Sequence, residues 1–172
     1  GKAFGATVYS TVGNEEKTKA CLKAGADAAI NYKTQDFVTE IQSLTQGQGV
    51  NMVLDMVGGD YVERNLKALA TEGRLIQIAF LQGAKVQLDL TALMVKRIAY
   101  TGSTLRPRSL EDKAQIAQAL QTHVWPLLSL GKALPVIHRV FDLSEAAAAH
   151  ALMESSAHIG KIMLKVDADS DN

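Results

Sequence analysis

The run Val50 to Gly59, V-N-M-V-L-D-M-V-G-G, constrains this chain more than any other stretch. Val50, Met52, Val53, Leu54, Met56 and Val57 put apolar side chains on both faces of a strand. That is the pattern of a parallel strand covered by helices on both sides, not of an antiparallel strand with one wet face. Asp55 interrupts the run near its end, and Gly58-Gly59 frees the backbone to turn sharply or to approach another molecule. Ligands of open α/β sheets bind beyond the carboxyl ends of strands, so this turn is the first candidate site. The same two glycines also suit a plain strand-to-helix turn.

The flanking sequence alternates strand and helix. Gly1 to Phe4 reads as the end of a helix capped by Gly5, and Ala6 to Thr11 as a strand. A helix follows over 15–23, with Asn14 as N-cap, Glu15 and Glu16 at the positive end of its dipole, and Ala24-Gly25 closing it. Cys21 sits on its apolar face as core filler. Ala28 to Asn31 reads as a strand, and Phe37, Val38, Ile41 and Leu44 mark one face of a helix. After the organising strand come a helix over 61–69, a turn at Glu72-Gly73, a strand over 74–78, a short helix over 88–95 and a strand over 98–103. A long helix over 111–130 contains Pro126, which should kink or break it. A strand over 136–141, a helix capped by Ser144 and ending at Glu154, and a strand over 159–166 complete the pattern. This alternation predicts an α/β fold, a doubly wound, mostly parallel, Rossmann-like sheet with right-handed crossovers. The domain is expected to span 1–166, followed by a polar tail from Asp167 to Asn172.

Composition narrows the function classes. The 172 residues are 47% hydrophobic, enough for one domain with a sizeable core. Eighteen Lys and Arg balance eighteen Asp and Glu, which gives no electrostatic reason to expect nucleic acid or an anionic membrane as partner. No apolar run reaches the length of a membrane span. A single cysteine forms no internal disulfide and no cysteine-rich zinc site, and it points to a reducing, cytoplasmic setting. No histidine shows metal-ligand spacing.

Five short motifs then stand in a specific order: T-V-G-N-E-E-K at 11–17, A-G-A-D at 24–27, N-Y at 31–32, D-M-V-G-G at 55–59 and I-G-K-I at 159–162. With them the chain resembles the nucleotide-binding half of a medium-chain dehydrogenase/reductase of the NADPH:quinone oxidoreductase (zeta-crystallin-like) branch. The resemblance implies NADPH as cofactor, with Lys17 and Tyr32 on the adenosine 2′-phosphate and Thr11, Gly13 and Asn14 at the strand tip beside it. An ammonium and a phenol hydroxyl can both donate to a phosphate dianion, which an acidic residue there would repel. It also implies that Val57-Gly58 lies along the cofactor ribose. Ile78 and Phe80, with Ala79 where glycine is frequent, lie beside the nicotinamide ribose. Ser103 and Leu105 lie at the carboxamide, with Arg106 at the edge. His158, Gly160 and Lys161 match a loop that closes near the cofactor, while His123, His138 and His150 read as ordinary helix and strand histidines. No side chain here is assigned as general acid or base.

By the same resemblance, a glycine-rich phosphate loop should precede the first strand seen here, and no G-x-G-x-x-G occurs in the sequence. The expectation is a domain truncated at its N-terminus, without its first strand, its glycine-rich loop and a preceding substrate domain. It would be inactive as it stands, but part of an enzyme passing hydride from NADPH to a quinone or similar activated alkene or carbonyl. An enoyl or alkenal reductase of the same superfamily and a non-catalytic folded or dimerising module are the alternatives. In the family's strand order the missing strand is central, so direct pairing of 6–11 with 50–57 is expected to close the gap. A homodimer is expected to form through the strand 98–103.

Overall fold

In the computed structural model, residues 1–166 are described, so the expected polar tail lies outside the described residues. Seven strands alternate with seven α-helices: β1 Tyr9–Val12, α1 Glu15–Lys23, β2 Ala28–Asn31, α2 Phe37–Leu44, β3 Val50–Asp55, α3 Tyr61–Ala68, β4 Leu69–Gln77, α4 Thr91–Val95, β5 Ala99–Gly102, α5 Leu110–His123, α6 Trp125–Ser129, β6 Ile137–Asp142, α7 Ala146–Glu154 and β7 Lys161–Lys165. Every strand pair is parallel. The α/β, Rossmann-like class follows.

Local chemistry sets the boundaries. The Asn14 side chain accepts the Lys17 amide at 2.9 Å and starts α1, and the Asp36 carboxylate accepts the Thr39 amide at 2.9 Å and starts α2. Gly5, with φ of 80°, closes a 3₁₀ turn over Lys2–Phe4 in the left-handed conformation. Pro126 breaks the long helix as expected of a residue with no amide to donate: α5 ends at His123 and α6 begins at Trp125. Near the C-terminus the cap is Asp142, not Ser144. A capping box between Asp142 and Glu145 opens a 3₁₀ turn that leads into α7.

Two expectations about the sheet are overturned. The strands form three separate sheets, β1-β2, β3-β4-β5 and β6-β7, and β1 is not hydrogen-bonded to β3. Bringing them together would require α2, which packs on α3, to shift by a strand width. Gln42 of α2 donates to the Lys67 carbonyl, and Arg64 of α3 pairs with Asp36 at 2.9 Å while stacking on Phe37. Buried packing of Phe37 and Ile41 of α2 on Ala68 of α3, supplemented by these exposed bonds, sets the two helices against each other. The second correction concerns β3 itself. Its two faces are not both covered: Met52 and Leu54, with Met56 just beyond, are half or more exposed, while Val53 is half-buried and Asp55 buried. β3 pairs only with β4. β4 begins at Leu69, directly after α3, so the predicted turn at Glu72-Gly73 lies inside the strand, with Glu72 at φ of 60°.

The core has two adjoining parts. Val62, Leu66, Leu69, Leu75 and Ile98 pack between α3 and the three-stranded sheet, and Ile30, Phe37, Ile41 and Ala68 pack between α2, α3 and β2. Val50 touches both, so the foot of β3 ties the two sheets together. No residue of α1 is buried, and Cys21 is half-buried rather than core filler.

Candidate nucleotide-binding site

The carboxyl ends of β1, β2 and β3 open toward one pocket of about 190 Å³, lined by Thr11, Tyr32, Val57, Tyr61, Leu81 and Gln82. Three of the sequence-predicted residues meet here, one from each strand end. Gly13 completes the corner. A Cβ placed on it would lie 2.7 Å from the Tyr32 hydroxyl, so the absent side chain is what lets the phenol reach across the β1 turn. Tyr32 is held edge-on against Tyr61, whose ring stacks on Phe37. Neither the Thr11 nor the Tyr32 hydroxyl has a hydrogen-bond partner among the described residues.

The turn after β3 is built from its buried acid. Asp55 is 3% exposed and accepts the amides of Val57 at 2.6 Å and Gly58 at 3.2 Å and the side-chain amide of Asn65 at 3.1 Å. Gln77, also buried, donates to the carbonyls of Asp55 and Ala79 and accepts the Tyr100 hydroxyl at 3.2 Å. Burial, and then the charge of Asp55, raises the Tyr100 phenol above its ordinary value. The segment after β4 zips onto the turn: Leu81 and Gln82 amides donate to Met56 and Val57 carbonyls, and the Gly59 amide donates to Gly83. The Gly58 and Gly59 carbonyls take the Tyr61 and Val62 amides that begin α3. Backbone amides and carbonyls from Val57 to Gly59 are thus already engaged, so the turn offers a molecule lying along it shape rather than free amides.

Other predicted residues fall elsewhere. The Asn14 side chain is engaged in capping α1, and the Lys17 ammonium donates to the Ser156 carbonyl at 3.0 Å, beyond the end of α7. Ile78 and Phe80 follow β4, 42% and 49% exposed, with Phe80 against Gly58. Ser103, Leu105 and Arg106 form an exposed loop after β5 and do not line the pocket; the Ser103 amide donates to Gln77. His158, Gly160 and Lys161 turn into β7 beside His138 and Val136, and they too lie outside the pocket lining. A larger hollow, about 270 Å³, lies beside β1 and α1, but it holds none of the predicted residues.

Sequence reasoning missed Tyr61, Leu81 and Gln82 in the lining and the Asn65–Gln77 support under the turn. A lone acid in an apolar strand was the available signal for the latter, since a buried carboxylate requires donors. Nothing local signalled that the segment over 80–83 folds back onto the turn.

Residues 1–123 of this parallel α/β domain match the family model of the zinc-binding dehydrogenases. The chain belongs to that family, in the quinone oxidoreductase-like branch of the medium-chain dehydrogenase/reductase superfamily. It is 30% identical over 165 residues to quinone oxidoreductase 1 of Escherichia coli (strain K12), covering 95% of this chain and 50% of that protein. It is 30% identical over 166 residues to 2-haloacrylate reductase of a Burkholderia species, covering 94% and 48%. The crystal structure of Escherichia coli quinone oxidoreductase complexed with NADPH superposes with a TM-score of 0.78 at 30% identity over 96% of this chain and 51% of that one. The chain spans about half the length of these relatives.

The Thr11 hydroxyl and the Tyr32 phenol at this pocket, both without a partner among the described residues, are donors of the kind that a phosphate or ribose of a nucleotide takes. Among the described residues no three His, Cys, Asp or Glu side chains come together to hold a metal. No helix of the described residues is long and apolar enough to cross a membrane.

Proposed function

We propose that this chain is the cofactor-binding half of an NADPH-dependent oxidoreductase of its relatives' length, reducing a quinone or a similarly activated alkene or carbonyl. The carrying observation is the convergence of Thr11, Gly13 and Tyr32 at the ends of β1 and β2, beside the turn after β3. In this reading Tyr32 and Lys17 donate to the 2′-phosphate, and Thr11, Gly13 and Asn14 shape the tip that receives it. Lys17 exchanges the Ser156 carbonyl for the phosphate, a neutral acceptor for a dianion. Val57 and Gly58 lie along the ribose, and Ile78 and Phe80 beside the nicotinamide ribose. Ser103, Leu105 and Arg106 flank the carboxamide.

NADPH supplies the hydride when bound; the protein binds, orients and excludes water. The chain's residues provide no general acid or base in this scheme, and acceptor selection belongs to the part of the enzyme beyond this half. The two named relatives, one a quinone reductase and one a haloacrylate reductase, support an electron-poor double bond as acceptor. The free edge of β5 in the β3-β4-β5 sheet supports a two-fold dimer in which this strand pairs with its mate.

The test is a full-length enzyme mixed with a simple quinone or an alkenal and either NADPH or NADH, with dinucleotide oxidation followed by absorbance. Faster turnover and lower KM with NADPH are expected. No oxidation with any acceptor would favour a non-catalytic binding module.

A further inference from the structure

Resting on that reading, we infer that Lys33 is a further ligand of the 2′-phosphate and sets the preference for a phosphorylated ribose. The inference starts from the corner at Gly13. Two groups converge on the point where its side chain would begin: the Tyr32 hydroxyl at 2.7 Å and Cε of Lys33 at 3.8 Å. The Lys33 ammonium is one bond beyond that Cε, within reach of the corner that the phenol occupies. Both groups are placed by one local device. The Asn31 side chain accepts the Lys33 amide at 3.1 Å, and the Asn31 carbonyl accepts the Thr34 and Gln35 amides. This turn at the end of β2 sends two consecutive side chains toward the β1 tip.

The charges at this corner differ in their commitments. The Lys17 ammonium already donates to the Ser156 carbonyl at 3.0 Å. The Lys33 ammonium has no hydrogen-bond or ion-pair partner among the described residues, and Glu15 and Glu16 likewise leave it unpaired. A phosphate monoester beside Gly13 would meet a hydroxyl from Thr11, a phenol from Tyr32 and a cation from Lys33 without breaking any bond of the protein. A ribose with a free 2′-hydroxyl gains nothing from the cation, so the charge discriminates between the two.

The experiment uses the 172-residue chain and two small probes that differ only in the phosphate, adenosine 2′,5′-bisphosphate and 5′-AMP, titrated by nitrogen-edited NMR so that millimolar affinities are measurable. Wild type should prefer the bisphosphate, with shifts at Gly13 and Tyr32. Lys33→Gln should weaken the bisphosphate about five- to tenfold and leave 5′-AMP unchanged, the size expected of one partly exposed charge-assisted contact, and Lys33→Arg should restore most of it. A Lys33→Gln chain that keeps the wild-type ratio of affinities would overturn the role of Lys33 while leaving the NADPH reading standing. A wild type that does not distinguish the probes would overturn that reading itself.

Discussion

Replacing Asp55 with alanine should destabilise the protein far more than an ordinary strand substitution. The carboxylate is buried and satisfies three donors, the amides of Val57 and Gly58 and the side chain of Asn65. Gly58 and Asn65 are themselves buried, so their donors have little access to water once the acceptor is gone. At about 1 to 3 kcal/mol for each unsatisfied buried donor, with Val57 half-exposed and contributing least, the loss should be about 3 to 5 kcal/mol. Asp55→Asn keeps one oxygen for the two amides and asks only that Asn65 present its own oxygen instead, so about 1 to 2 kcal/mol is expected. Urea unfolding followed by circular dichroism measures both as shifts in midpoint at constant slope. A loss below about 1 kcal/mol for Asp55→Ala would refute the claim that this carboxylate builds the turn.

Three further outcomes follow from the same geometry. Gly58→Ala should cost about 1 to 3 kcal/mol, because φ is +69° and the new Cβ would sit 2.8 Å from the Gly83 carbonyl; Gly47→Ala, at φ of +82° with open space, should cost about 1 kcal/mol, and equal losses in urea would show the contact to be irrelevant. The Tyr100 phenol is raised by burial and by Asp55, so the folded state holds its proton more tightly than the unfolded one. Stability from this group is therefore intact below the unfolded value near pH 10 and lost as pH climbs above it. Melting curves across that alkaline range should fall more steeply for wild type than for Tyr100→Phe. The 172-residue chain, whose sequence contains no G-x-G-x-x-G run to present backbone amides to a pyrophosphate, should bind NADPH more weakly than micromolar in calorimetry.

Much of the fold was legible because periodicity and caps are local. Asn14, Gly5 and Pro126 act through their own backbone groups, and each did what its chemistry predicts. The sheet was less legible, because which strands pair depends on packing between distant elements. Apolar residues on both sides of β3 say that both faces prefer cover, yet Met52, Leu54 and Met56 are left open where β3 has β4 alone beside it. Ser144 and Asp142 are both competent caps, and only the completed box with Glu145 decides between them. At the site, the turn after β3 follows from the apolar run and its two glycines, whereas Thr11 and Tyr32 are marked by the family resemblance. Leu81 and Gln82 enter through a loop that folds back by backbone bonds, which side-chain identity does not encode.

The central claim, that the tips of β1 and β2 hold the 2′-phosphate of NADPH, is tested most directly by measuring the affinities of a full-length enzyme for NADPH and NADH side by side in wild type, Tyr32→Phe and Lys17→Ala. The account predicts a wild-type preference for NADPH and a loss of about tenfold or more in each variant that falls on NADPH alone. Equal losses for the two dinucleotides, or no preference in wild type, would contradict it.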